Sequence, residues 1–236
     1  MRPPLNYVTA EALPSARDRF DRMYAILRDR ICLLDYPPGT RLSEESLAVE
    51  FGTSRTPLRR VLVRLEGEGL LQSVHGVGTF VTDADIFALE HTYQLRMELA
   101  ELLGILAPNP PDPEMWKRLQ SLSAEVRALA DQPDARRFGE LNMEFFHEFH
   151  RITANAQLRD ICERLFFQTA RIWLKSMAAA HIDVAAEVRI FADEIDEVLR
   201  ALAIGDVRSA ALIHRTHISM SFMRMCQASR LSGAAT

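Results

Sequence analysis

Four arginines, Arg55, Arg59, Arg60 and Arg64, recur between Ser54 and Leu65, and no acidic residue stands between Phe51 and Arg64. Wound as a helix, they occupy the face opposite Leu58, Val61, Leu62 and Leu65. Such a stripe suits a polyanion. Arginine offers planar, bidentate donors to phosphate oxygens and to O6 and N7 of guanine, and a good base contact contributes about 1–3 kcal/mol. A second group of chemistry-bearing residues lies far downstream, where His147 with His150 and His214 with His217 form two i, i+3 pairs. That spacing sets each pair on one helix face. If the faces met, four imidazole nitrogens could hold a divalent ion such as zinc; otherwise they are hydrogen-bonding residues beside a pocket. Arg171, followed by Ile172, Trp173 and Leu174, is a cation in an apolar stretch and requires an anion, either internal or bound.

The arginine helix needs elements to present it. Ser43 is placed to cap a preceding helix, with Glu44 and Glu45 in its positive first turn. Leu47, Ala48 and Phe51 give that helix an apolar face, and Gly52 permits the left-handed turn that ends it. Ser54 then stands where a cap for the arginine helix belongs. Gly67 and Gly69 break the chain, and Leu70–Val74 and Thr79–Val81 read as strands around His75-Gly76-Val77-Gly78. A helix-turn-helix followed by a hairpin is a winged helix, whose second helix enters a DNA major groove while the wing lies on the neighbouring backbone.

The stretch PPGTRLSEESLAVEFGTSRTPLRRVLVRLEGEGLLQSVHGVGTFV resembles the DNA-binding domain of the GntR family of bacterial transcription regulators. The shared pattern runs from Pro38-Gly39 through Leu42-Ser43-Glu44, Leu47-Ala48, Gly52, Ser54-Arg55 and Pro57 to the glycine-tipped wing. The resemblance implies DNA contacts at Arg41, Thr53, Ser54, Arg55, Thr56 and Arg59, and at the wing residues His75, Gly76 and Gly78.

Composition sets limits. At 236 residues the chain accommodates two modest domains. The net charge of -4 does not oppose DNA binding, because a local patch and not the average meets phosphate. Cys32, Cys162 and Cys226 are far apart and lack CxxC spacing, which fits a reducing cytoplasm better than a disulfide framework or a zinc ribbon. No apolar run is long enough to span a membrane, and no signal-peptide core opens the chain. A soluble cytoplasmic protein is expected.

Residues 1–17, with Pro3, Pro4 and Pro14, read as a loose arm. Asp18 to Leu34 reads as an amphipathic helix that stops before Pro37-Pro38. Residues 18–82 therefore form the expected winged domain. Residues 83–230 read as six helices, about Asp85–Ala107, Pro113–Ala130, Asp134–Thr153, Asn155–Ala180, Asp183–Ile204 and Asp206–Arg230, and 231–236 form a tail. The expected fold class is mainly α: an N-terminal winged helix-turn-helix and a C-terminal all-α bundle.

This combination resembles the FadR subfamily, whose second part is the FCD domain, and six helices point to its VanR-like branch. Tyr93–Glu98, Asn155–Leu158, and Leu199–Asp206 followed by Ala210, Ala211 and His217 carry the likeness. Many FCD domains hold a divalent metal, and the positions expected for its ligands fall here on Asn142, Phe146, Ile195 and His217; a one-residue slip brings in His147 against Met143. His147 and His217 are thus the candidate ligands of an incomplete set. The family points the side chain at Arg96 inward, where Glu98 or Glu144 could pair with it internally, or an anionic effector could. Arg96, Asn142, Phe146, His147, Arg171 and His217 are the candidate effector contacts. The resemblance implies a transcription regulator, a repressor in the family's usual manner. It would bind a palindromic double-stranded operator as a homodimer and respond to a small metabolite, an organic acid by default. The alternative is a DNA-binding dimer whose bundle senses nothing. HExxH, GxSxG and phosphate-loop motifs are absent, which argues against an enzyme.

Overall fold

The computed structural model describes residues 15–83, 85–179 and 182–233; most of the expected arm and the end of the expected tail lie outside them. Helix α1 (Ala16–Cys32) starts two residues before the expected Asp18, because Ser15 and Asp18 form a reciprocal capping box. After Pro37-Pro38 comes β1 (Arg41–Leu42), then α2 (Glu44–Glu50), α3 (Arg55–Gly67), β2 (Leu71–Val74) and β3 (Gly78–Val81). The strands form one antiparallel sheet in the order β1-β3-β2. Strand β1 is an addition to the expected hairpin: two residues are too short to show a period, and β1 forms only by pairing Arg41 with Phe80 and Leu42 with Thr79.

Ser43 caps α2 through Ser46 N at 3.3 Å. Gly52 adopts φ +58°, the left-handed turn the sequence requires. Ser54 occupies the N-cap position of α3 in extended backbone but makes no capping hydrogen bond, so that part of the expectation is corrected. Leu58, Val61, Leu62 and Leu65 are buried against α1, as their spacing demands.

The second half contains α4 (Glu90–Leu102), α5 (Pro113–Leu129), α6 (Ala135–Phe149), α7 (Ala156–Ala179), α8 (Val184–Ala203) and α9 (Val207–Gly233). Helix α4 starts later than expected. Asp85 Oδ1 accepts from the amides of Phe87 and Ala88, which spends the preceding residues in a side-chain-closed turn. Asp112, Asp134, Asn155 and Asp183 each accept an amide hydrogen bond at the start of the next helix, which explains where α5 to α8 begin. Helix α9 continues past Arg230 to Gly233. Among the described residues no helix is long and apolar enough to cross a membrane.

One core runs through both halves, from Leu27, Ile31 and Leu65 to Phe145, Phe167 and Val198. A smaller cluster, including Tyr93, Ile172, Phe222 and Met225, joins α4, α7 and α9. Helix α7 is common to both and lies against α1, α4, α6 and α9. It is the bundle helix packed against α1.

Candidate functional site

Arg55 and Arg59 project from the first two turns of α3 and are 62% and 70% exposed. Arg41, Ser54, Thr56, His75 and Gly76 are exposed as well, while Thr53 and Gly78 are half-buried. Gly78 is required where it stands: its φ is +145°, and a Cβ there would lie 2.7 Å from Arg41 Nε. The absence of a side chain at Gly78 leaves room for the Arg41 side chain of β1 beside the wing.

The arginines are not left repelling one another. Arg55 pairs with Glu45 at 2.9 Å, and Arg59 makes a bidentate contact with Glu44 at 2.9 and 3.0 Å. Arg64 pairs with Glu68 at 3.0 Å, with its guanidinium 3.7 Å from the Tyr24 ring centroid. The sequence suggested an uncompensated patch because α3 itself holds no carboxylate beside Arg55 and Arg59; theirs come from the start of α2, and that of Arg64 from the residue after α3. Exposed pairs of this kind are weak and screened by salt, so phosphate can displace them.

The bundle holds a cavity of about 40 Å³ between α4, α6, α7, α8 and α9. Four of the expected effector residues, Arg96, Asn142, Phe146 and His217, line it. Arg96 Nη1 donates to Thr169 Oγ1 at 2.6 Å. Burial lowers the Arg96 pKa from its ordinary value, so its charge calls for an anionic companion. The internal partners offered by the sequence are taken elsewhere: Glu98 by Arg215, and Glu144 by Arg118 and Arg137.

On the other wall Glu194 is 5% exposed. His214 Nδ1 is hydrogen-bonded to its Oε1 at 2.8 Å, and His217 Nδ1 stands 3.0 Å from Oε2. Burial alone would raise this carboxyl; the two imidazoles outweigh it and hold the group below the usual carboxylate range. His150, buried, is pushed well below the ordinary imidazole value by desolvation and by His214 and Arg96. A wider groove of about 500 Å³, lined by Asp193, Glu197, Leu212 and Met220, shares Glu194 and His217 with the inner cavity.

Two candidates lie elsewhere. His147 follows Phe146 on α6, so it is rotated by about 100° from the cavity. Phe146 fills the cavity side, stacked 3.9 Å from Phe166, while His147 is exposed with its ring 5.8 Å from Phe167. Arg171 lies about 200° around α7 from Thr169. Its Nη2 donates to Thr82 Oγ1 at 2.6 Å, on the side of the first three helices. Arg171 is 2% exposed, yet its Nε and Nη1 have no hydrogen-bond partner. Replacing such an ion by an apolar residue of similar length removes a desolvation cost. Arg171→Met is therefore expected to raise stability by about 1 kcal/mol, or a few degrees in Tm. A lower melting temperature in calorimetry would contradict this.

The metal implied by the FCD likeness does not suit these donors. Phe146 and Ile195 replace two ligands with hydrocarbon, and Glu194 already engages the Nδ1 atoms of both His214 and His217. His147 and His217 do not share a site, and His150 approaches the other pair only through His214, at 6.1 Å between ring centroids. Among the described residues no group of three or more histidine, cysteine or acidic side chains is arranged to hold a metal ion. Dialysis against a chelator is expected to leave the thermal midpoint unchanged; a drop of several degrees would show that the histidines do recruit an ion.

Sequence reasoning missed Glu194 and Thr169. A usable signal existed for the first: Glu187 and Glu194 are seven apart on the stripe that also carries Val188, Phe191, Ile195 and Val198, and both prove buried. A carboxylate on the apolar side of a helix requires a cation. Glu187 finds Arg224, at 2.6 and 2.7 Å, and Glu194 finds the histidines.

Residues 20–81 match the family model described as bacterial regulatory proteins, gntR family, and residues 91–220 match the FCD domain. An HTH-type transcriptional regulator in an unstable DNA locus of Streptomyces ambofaciens is 29% identical over 210 residues, covering 85% of this chain and 82% of that protein. The Uxu operon transcriptional regulator of Escherichia coli strain K12 is 26% identical over 243 residues, covering 92% and 90%. Among solved structures, E. coli McbR/YncC superposes with a TM-score of 0.76 at 20% identity, over 89% of this chain and 97% of that one. That likeness is one of fold.

Proposed function

Since the chain belongs to the GntR family of bacterial regulatory proteins and carries an FCD domain, we propose that it binds a palindromic operator as a homodimer and represses transcription until a small organic acid enters its bundle. It is a DNA-binding transcription regulator and not an enzyme. In this reading residues 18–82 read DNA, residues 83–230 bind the effector and join the protomers, and residues 1–17 and 231–236 flank them. The protein acts in the cytoplasm.

The observation that carries the DNA half is α3, with Arg55 and Arg59 exposed, together with a wing whose Gly78 makes room for the Arg41 side chain. One such unit covers a half-site, so two are needed, about one DNA turn apart. The effector half rests on Arg96, whose hydrogen bond in the cavity goes to a neutral hydroxyl. A carboxylate is the stronger acceptor for a guanidinium. The inner cavity would take the acid group, and the wider groove behind Glu194 and His217 the remainder of the molecule. Selection of duplexes from a random pool tests the reading of DNA. Enrichment of a two-fold symmetric site, bound by two chains, is expected; recovery of unrelated sequences would overturn it.

A further inference from the structure

Six consecutive residues of α7 touch the cavity on one face and the DNA-reading half on the other. On the cavity face, Phe166 stacks on Phe146, Thr169 accepts from Arg96, and Ala170 completes the wall. On the opposite face, the Arg28 guanidinium lies 3.9 Å from the Phe167 ring centroid, and Cys32 Sγ donates to the Phe167 carbonyl at 3.7 Å. Gln168 Nε2 donates to Glu68 O at 3.0 Å, where α3 ends. Arg171 reaches Thr82 Oγ1 at 2.6 Å and the Asp83 carbonyl at 3.4 Å. The Thr82 hydroxyl in turn lies 2.7 Å from Gly69 O, at the base of the wing.

We propose that residues 166–171 of α7 couple the cavity to the DNA-reading half, with Thr169 as the exchangeable partner of Arg96. The inference rests on the effector reading above and gives its route. The two sites stand about 8 Å apart along one helix, which moves as a unit. In the structure the Arg96–Thr169 hydrogen bond ties α4 to α7. An effector carboxylate takes Arg96 from the weaker neutral acceptor, and Thr169 keeps its contacts to the Leu165 and Phe166 carbonyls of its own helix and to the Tyr93 side chain. With that one tie to α4 exchanged, α7 shifts against it, and Gln168 and Arg171 carry the shift to the end of α3 and the base of the wing. The orphaned Nε and Nη1 of Arg171 fit this role, because a junction with an unsatisfied buried charge is held less firmly than one without.

The test is hydrogen–deuterium exchange of the full chain, read by mass spectrometry without DNA or effector. Thr169→Val keeps the shape and removes the acceptor. It is expected to speed exchange by about three-fold or more at residues 68–70 and 81–83, in addition to α4 and α7, while Thr169→Ser keeps the parent rates. Arg96→Met breaks the same tie from the other side and is expected to affect the same segments. Changes confined to α4 and α7 in both variants, or no change anywhere, overturn the coupling route. Neither DNA nor effector enters the readout, so that failure leaves operator reading and effector binding to be judged on their own tests.

Discussion

Replacing Arg59 by alanine weakens operator binding more than ten-fold, with little effect on folding. Arg59 sits one turn into α3, 70% exposed, and its guanidinium is already extended and flat in a bidentate contact with Glu44. That contact raises the Arg59 pKa, chiefly through the Glu44 hydrogen bond, so the cation is present at any working pH. The geometry that grips a carboxylate is also the geometry that grips guanine O6 and N7 or a phosphate. Arg59→Lys restores charge without the planar fork and is expected to recover only part of the loss. Fluorescence anisotropy on the selected operator reads both variants. An unchanged affinity for Arg59→Ala would remove α3 as the reading helix.

Loss of Glu194 has the largest expected effect on stability. Glu194→Ala leaves buried His214 without its acceptor and half-buried His217 without the carboxylate it faces, and removing one member of a buried pair costs about 3–5 kcal/mol. Glu194→Gln keeps the volume and one carbonyl acceptor for His214, so it is expected to lose less. Urea unfolding measures both. A cost below about 1 kcal/mol for Glu194→Ala would mean that the imidazoles find water or each other as readily as the carboxylate.

How much of this was legible in the sequence depends on how local each cause is. The α2-turn-α3 unit is determined by neighbours a few residues apart: the Ser43 cap, the left-handed Gly52, and Leu58, Val61, Leu62 and Leu65 at helical spacing. Helices α5 to α8 were legible for the same reason, since their starts are marked by Asp112, Asp134, Asn155 and Asp183. Strand β1 was not, because it exists only through a partner some 40 residues away. The pairing of Glu45 and Glu44 with Arg55 and Arg59 was not legible, because it depends on how the turn at Gly52 sets α2 against α3. In the bundle, four of the effector candidates converge on one cavity. Arg171 and His147 do not, and rotation about the helix axis is the reason: an apolar neighbourhood marks Arg171 as buried without saying on which side of α7. The partners of Glu194 were not legible because the histidines that answer its buried carboxylate come from α9, 20 and 23 residues further along the chain.

The most direct measurement is a titration of the parent chain on its selected operator with two- to six-carbon mono- and dicarboxylic acids, in the presence of a chelator. At least one acid is expected to shift operator affinity by about 5- to 150-fold, the range of ordinary allosteric coupling, and Arg96→Met to abolish that shift. If no acid alters operator binding, or if the response appears only when a divalent metal is supplied, direct recognition of an organic acid by Arg96 is contradicted.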